Sequence, residues 1–220
     1  MRVEFHSLHW DNVNTQMLDA HKRVMGHFQI PVNYHNTNTW HGEWLDKVFR
    51  DNTAEIVGII EPDLIPLNQK AFAKTIGYVA RNDTFLGIAQ CSNHIPPASH
   101  IYAAPGFFVM TKTAYERLGK PSCMHHQTAD TAEELSYVAE RMGIKYRALM
   151  PTHYEKDSSE GPWHLGCIGR YGIGTVFDNS FYHLYQSRHA ENIELFTKRC
   201  QEVIDGTFST EGFKIATELV

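Results

Sequence analysis

Residues 56–60 read IVGII, an unbroken apolar run that stops abruptly on Glu61-Pro62-Asp63. A strand with one face in water alternates apolar and polar side chains. A continuous apolar strand has to be covered on both faces, which places it at the centre of a parallel sheet with helices above and below. The segments before the run fit that frame. RVEFHSLHW alternates as a strand, and Asp11 or Asn12 stands where it can cap a helix whose Val13, Met17, Leu18, Val24, Met25 and Phe28 share one face. IPVNYHNTN is a second short strand, and Leu45, Val48 and Phe49 mark a helical turn or two before the central run. Beyond it, Asn68 caps a helix striped by Ala71, Phe72, Ile76 and Val79, and FLGIAQC supplies a fourth strand. This alternation predicts a doubly wound α/β fold with a mainly parallel sheet, in which ligands collect at the carboxyl ends of strands. Glu61 and Asp63 stand at one such end.

The second half continues less regularly. SNHIPPASHIYAAPG reads as a loop, FFVM as a short strand, and the next helix is capped by Thr111 and stopped by Gly119. A helix over 131–142 turns Leu135, Val138, Ala139 and Met142 to the core, and KYRALM follows as a strand. Six glycines or prolines among polar residues give 152–174 the character of a mobile surface loop. GTVFD and SFYHLY form a strand pair, and a last amphipathic helix carries Ile193, Phe196, Cys200 and Val203. The tail after Gly206 has weak periodicity and is expected to be partly unfolded.

The chain of 220 residues, 42% hydrophobic, can bury a core as one large domain or two fused lobes. A formal charge of -5 without a basic block argues against nucleic acid as a partner. Cys91, Cys123, Cys167 and Cys200 are too scattered for a zinc cage or a disulfide framework, so reduced thiols and a cytoplasmic location are expected. No apolar stretch has the length of a transmembrane segment, and MRVEFHSLHW lacks the apolar core of a secretory signal. The 14 histidines, among them His6, His9, His21, His27, His35 and His41, are mostly dispersed, which does not describe one metal cluster.

The chemistry concentrates around the E-P-D triplet. Two carboxylates separated by one residue at a strand end can share a divalent cation, because a local turn brings both to one side and the proline narrows the conformations available. Hard oxygen ligands favour Mg²⁺ or Mn²⁺, and such a cation neutralises a diphosphate leaving group. The same triplet also reads as a simple polar turn. His183, within the aromatic strand FYHLY, is either a packed core residue or an imidazole ligand, and His164 in GPWHLG competes for the second role. Arg188 or Arg170 is available to pair with phosphate. DTAE, residues 130–133, is a capping box with Asp130 as N-cap and Glu133 at N3.

Taken together, the strand ending in EPD, the APGFFVMTKTAYERLG segment, the acidic DTAEELSYVAERMG helix and FYHLYQSR, in this order, resemble a GT-A-type nucleotide-sugar glycosyltransferase of the family-2-like kind, over roughly residues 50–205. The resemblance implies a single α/β, Rossmann-related domain over 1–206, with a nucleotide-sugar-binding half at 1–93, an acceptor-binding half at 94–206 and a tail at 207–220. It implies a hexosyltransferase-type enzyme that moves a sugar from a nucleoside diphosphate-sugar to a hydroxyl on a glycan, lipid or protein, with inversion. Mn²⁺ or Mg²⁺ would be held by Asp63 as principal ligand, Glu61 as an outer or second ligand and His183 as the third. Asp130 stands where such enzymes carry the catalytic base, and Glu133 or Glu134 takes that role if Asp130 is committed to the helix. By the same analogy, base and ribose sit by His9, Asp11, Asn33, His35 and Asn36, with Glu61 near the phosphates. A glycosyltransferase-shaped binder without catalysis and a metal-dependent hydrolase are the rival expectations.

Overall fold

The computed structural model describes residues 1–92, 95 and 99–216. In it IVGII forms strand β3 (Ile56–Ile60), and all five residues are buried. β1 (Val3–His9), α1 (Thr15–His27), β2 (Val32–Asn36) and α2 (His41–Asp51) precede it. β4 (Leu64–Pro66), α3 (Gln69–Asn82), β5 (Phe85–Cys91), β6 (Ile101–Thr111), α4 (Lys112–Arg117), α5 (Glu133–Arg141) and β7 (Arg147–Leu149) follow. The remaining elements are β8 (Pro151–Glu155), β9 (Trp163–Leu165), β10 (Gly169–Tyr171), β11 (Gly174–Phe177), β12 (Phe181–Leu184), α6 (Ala190–Ile204) and β13 (Lys214–Ile215).

The main sheet runs in the order β2-β1-β3-β6-β5-β7. Five strands point one way and β6 alone runs against its neighbours β3 and β5. The result is an α/β, Rossmann-like arrangement with a mainly parallel sheet flanked by helices. One face is covered by Trp44, Leu45, Val48 and Phe49 of α2 with Tyr115 of α4 and Leu135 of α5. The other is covered by Met25 of α1 and Phe72 and Val79 of α3. β3 therefore has apolar neighbours above and below, which is why its sequence has no polar alternation.

A second sheet, in the order β13-β8-β11-β12-β4, packs on α1 and α6 through Met17, Val24, Val176, Leu184, Phe196 and Val203. The chain passes from the first sheet to the second across the E-P-D triplet itself. The amide of Leu64 donates to the Glu61 carbonyl at 3.1 Å, closing a tight turn with proline at its second position. No helix among the described residues is long and apolar enough to cross a membrane.

Several expectations are corrected. Asn14, not Asp11 or Asn12, caps α1, its side chain accepting from Met17 N. The region around Leu45 is a full helix rather than a turn or two. IYAAPG belongs to β6, and Pro105 fits there because the β5–β6 register breaks between Gly87 and Ile88, leaving an irregularity where no ladder donor is needed. FLGIAQC is the fifth strand, because Leu64–Pro66 forms a short one before it. Much of 152–174 is strand: PTHYE pairs in the second sheet, and WHL and GRY form a small hairpin that buries Leu165 and Tyr171. The tail returns as β13 to pair with β8. Met142 is 52% exposed rather than core-facing. The predicted loop over 92–106 and the tail beyond Gly206 lie partly outside the described residues, at 93–94, 96–98 and 217–220.

Candidate functional site

The E-P-D turn sits at the carboxyl end of β3, and the second sheet brings a histidine to it. β4 pairs antiparallel with β12 so that Leu64 lies opposite His183, and the Leu184 amide donates to the Asp63 carbonyl at 2.9 Å. This register sets the His183 Nε2 3.4 Å from Asp63 Oδ1 and 3.6 Å from Glu61 Oε2. Among the described residues, Glu61, Asp63 and His183 are the one set of three or more His, Cys, Asp or Glu whose ligand atoms all lie within 4.8 Å of one another.

The electrostatics are those of a crowded, half-buried acidic pair. Burial, and then the charge of Asp63, push the Glu61 carboxyl up to about 7, with His183 acting in the opposite direction. Burial also acts upward on Asp63, but His183 and Ser187 outweigh it and hold that carboxyl below the usual range. Asp63 Oδ1 and His183 Nδ1 are buried without a hydrogen-bond partner among the described residues. Two carboxylates and the imidazole Nε2 at one corner, with Asp63 Oδ1 among them unpartnered, are a donor set that suits a divalent cation such as Mn²⁺ or Mg²⁺.

A fourth side chain joins that sequence reading passed over. His41, the first residue of α2, has Nδ1 3.6 Å from Glu61 Oε1. Burial lowers its pKa to about 4 against the opposing pull of Asp63 and Asp130, so the ring is neutral at neutral pH. Its place is fixed by a close approach at Gly42, where a Cβ would stand 2.6 Å from the Cys123 carbonyl. Asp46, one turn on, accepts from Cys123 N at 2.7 Å and Ser122 Oγ at 2.8 Å. The start of α2 is thereby locked to the loop that carries Asp130.

Asp130 does not cap α5. The helix begins at Glu133 after Ala132 in the left-handed region (φ 64°), with no side-chain cap. Only the reverse half of the expected capping box forms, the Asp130 amide donating to Glu133 Oε2 at 2.7 Å. The Asp130 carboxylate accepts from Thr131 N at 2.7 Å and from the Tyr102 hydroxyl at 3.4 Å. Glu133 is 1% exposed and its oxygens are taken up by Ser92 Oγ at 2.8 Å and His100 Nδ1 at 2.6 Å as well as by Asp130 N.

Two cavities share His41, Glu61 and Asp63. A cleft of about 780 Å³ runs between the end of β1 and the start of α1, lined also by His9, Trp10, Asn14 and Arg188. A chamber of about 250 Å³ is lined by the same three residues with Tyr102, Asp130, His183 and Tyr185 among others. Of the residues expected around a nucleotide, His9 and Glu61 line the cleft. Asp11 is exposed and bonded to Asn38, and Asn33 and Asn36 are exposed on the edge strand β2. His35 turns to the α2 side, 3.0 Å from His6 and edge-on to Trp44, in a separate groove. Strand alternation explains the separation: β1 and β2 send alternate side chains to opposite faces. His164 and Arg170 lie together elsewhere, by Cys167 and Lys214, so His183 and Arg188 are the members of each sequence-level pair that reach this region.

No protein-family model matches the chain, and no curated protein sequence does. Solved structures similar in fold include a mannosyltransferase from Pyrobaculum calidifontis in complex with GDP-Man and Mn²⁺, 11% identical, TM-score 0.47, covering 67% of this chain and 54% of that one. A protein from STIV is 10% identical, TM-score 0.45, covering 84% and 94%. CMP:2-keto-3-deoxy-manno-octonic acid synthetase complexed with CTP is 10% identical, TM-score 0.40, covering 68% and 90%. This chain thus spans about half the length of the mannosyltransferase. At such identities and scores these are likenesses of chain arrangement and assign no reaction.

Proposed function

We propose that the chain is a metal-dependent glycosyltransferase that moves a sugar from a nucleoside diphosphate-sugar to a hydroxyl acceptor with inversion. One observation carries the reading: Glu61, Asp63 and His183 converge at the end of the central strand, in a chamber whose wall includes Asp130. Asp63, Glu61 and His183 would hold Mn²⁺ or Mg²⁺, which when bound supplies positive charge opposite a departing diphosphate. The cleft beside the triad takes the nucleotide, with His9, Trp10 and Arg188 in its wall.

Asp130 is the base in this scheme. It accepts the proton of the acceptor hydroxyl as that oxygen bonds to the anomeric carbon and the bond from that carbon to the diphosphate oxygen breaks. Its freedom from capping duty leaves a lone pair for the task, and Glu133 acts as a positioning residue by holding the Asp130 amide. Neutral His41 at the junction of both cavities orients Glu61.

The test is thermal-shift screening of the protein against UDP-, GDP-, CMP- and dTDP-linked sugars with and without Mn²⁺, followed by a transfer assay with the stabilising donor. Metal-dependent stabilisation by one nucleotide family is expected. Asp63→Asn should abolish it and lower transfer on the order of 10²-fold or more. Wild-type turnover in that variant, or release of free sugar with no acceptor product, rules the assignment out.

A further inference from the structure

The 250 Å³ chamber has a composition that goes beyond holding a base and a metal. Among the described residues, ten of the twelve that line it carry a hydrogen-bonding side chain, Pro105 and Gly106 being the exceptions. Gln90 of β5, Tyr102 of β6 and Gln186 after β12 widen the polar surface well past the triad. Its volume of about 250 Å³ suits one pyranose ring with its hydroxyls. It falls below the roughly 300–1,000 Å³ that engulfs a larger ligand.

Tyr185 gives the chamber its sharpest feature. Its ring is pinned by His183 at 4.1 Å, Tyr171 at 5.3 Å and Trp163 at 5.4 Å between centroids, and its amide donates to the Ile173 carbonyl at 2.6 Å. The phenolic oxygen is buried and has no hydrogen-bond partner among the described residues. Native proteins seldom leave a buried hydroxyl unmet, and a rigid ring cannot swing to find water.

We infer that this chamber is an acceptor subsite that takes a single sugar ring of a carbohydrate, with the Tyr185 hydroxyl and the Gln90 amide bonding its hydroxyls while one of them faces Asp130. The inference rests on the donor reading for its chemistry, though not for its binding prediction. An acyl chain would leave the polar half of the wall unpaired, and a site built to bond hydroxyls discriminates strongly against ligands that lack them.

The deciding experiment is ligand-observed NMR of the full chain with methyl glycosides of mannose, glucose, galactose and N-acetylglucosamine, alone and with Mg²⁺ and a nucleoside diphosphate. At least one glycoside is expected to bind. Tyr185→Phe and Gln90→Leu should each weaken it about fivefold, the worth of one hydrogen bond. Tyr185→Phe should melt no lower than wild type, because the hydroxyl it removes is unpartnered, so lost binding there is not lost folding. Absence of binding by every glycoside under both conditions overturns the inference, as does wild-type affinity in both variants. Binding of a polyprenyl phosphate or a serine peptide in place of the glycosides overturns it too. Glycoside binding without nucleotide binding keeps the subsite and removes the donor reading, and nucleotide binding without glycoside binding does the reverse.

Discussion

Burial and the nearby Asp63 push the Glu61 carboxyl up to about 7 from an ordinary 4.5, and this single shift has two measurable consequences. The folded, metal-free chain holds an extra proton between those values, so its stability falls as pH rises through that window. Glu61→Gln is therefore expected to stabilise the metal-free protein at pH 8 by about 1–3 kcal/mol and to change little at pH 5, measured by denaturant melts at both pH values. The variant should also lose most of its stabilisation by Mn²⁺. If the proposed site holds Mn²⁺, the same proton has to leave first, so the affinity is expected to rise from pH 6 to 8, and calorimetry in two buffers of different ionisation enthalpy would read the released proton. Gly106 is the second sensitive residue. A Cβ there would meet Ile88 Cδ1 at 2.7 Å, His183 Cε1 at 3.3 Å and Glu61 Oε2 at 3.4 Å. Gly106→Ala should cost about 1–3 kcal/mol by overpacking and loosen Mn²⁺ binding several-fold, seen by titration against melting temperature. At this scale E-P-D was legible because an apolar strand ending on paired carboxylates is unusual. His41 was not, because only the lock between α2 and the 122–130 loop makes one dispersed histidine a neighbour of the acids.

Helix starts show how far local signals reach. Asp11, Asn12 and Asn14 are all good caps, and the sequence does not rank them. Asp11 is taken by Asn38 across the β2–α2 loop, leaving Asn14 to accept from Met17 N at 3.2 Å. Asn14→Ala is expected to lower stability by about 1 kcal/mol, whereas Asp11→Ala stays within about 0.5 kcal/mol, in paired urea melts. Equivalent melts of the opposite ranking would return the cap to Asp11. In DTAE the capping-box letters were right and the geometry was half wrong. Ala132 takes the left-handed turn, so Glu133 reaches back while Asp130 remains turned to the chamber. The apolar stripes of α1, α3 and α6 were readable because burial of one face imposes their period. The strands inside 152–174 were not, because pieces of three to five residues depend on partners far away in sequence.

The molecule is held as a unit by an aromatic bridge between its two sheets. Phe181 of β12 stacks on Phe107 of β6 with centroids 4.0 Å apart and meets Phe72 of α3 edge-on at 5.9 Å. It lies two residues from His183 on the same strand. Phe181→Ala should destabilise the fold by about 3–5 kcal/mol in a denaturant melt. It should also weaken Mn²⁺ binding by the still-folded fraction, although Phe181 supplies no ligand. Unchanged metal affinity would mean that the second sheet does not hold His183 in place. Arg199 makes a parallel clamp from α6, reaching Glu155 of β8 at 2.5 Å and Glu202 at 2.6 Å.

What the chain's own letters determined was the architecture around β3. Helix and strand periods are local consequences of which face is buried, and a strand without polar residues has to lie in the middle. They also marked Glu61 and Asp63 as a pair, since two residues apart across a proline is a local relation. Only the tertiary structure decided which histidine completes the group, that His35 faces another groove, and that Tyr185, with its buried hydroxyl, lines the chamber. Those outcomes depend on the register of β4 against β12 and on the packing of α2 against a distant loop, and such contacts are set by the whole core at once.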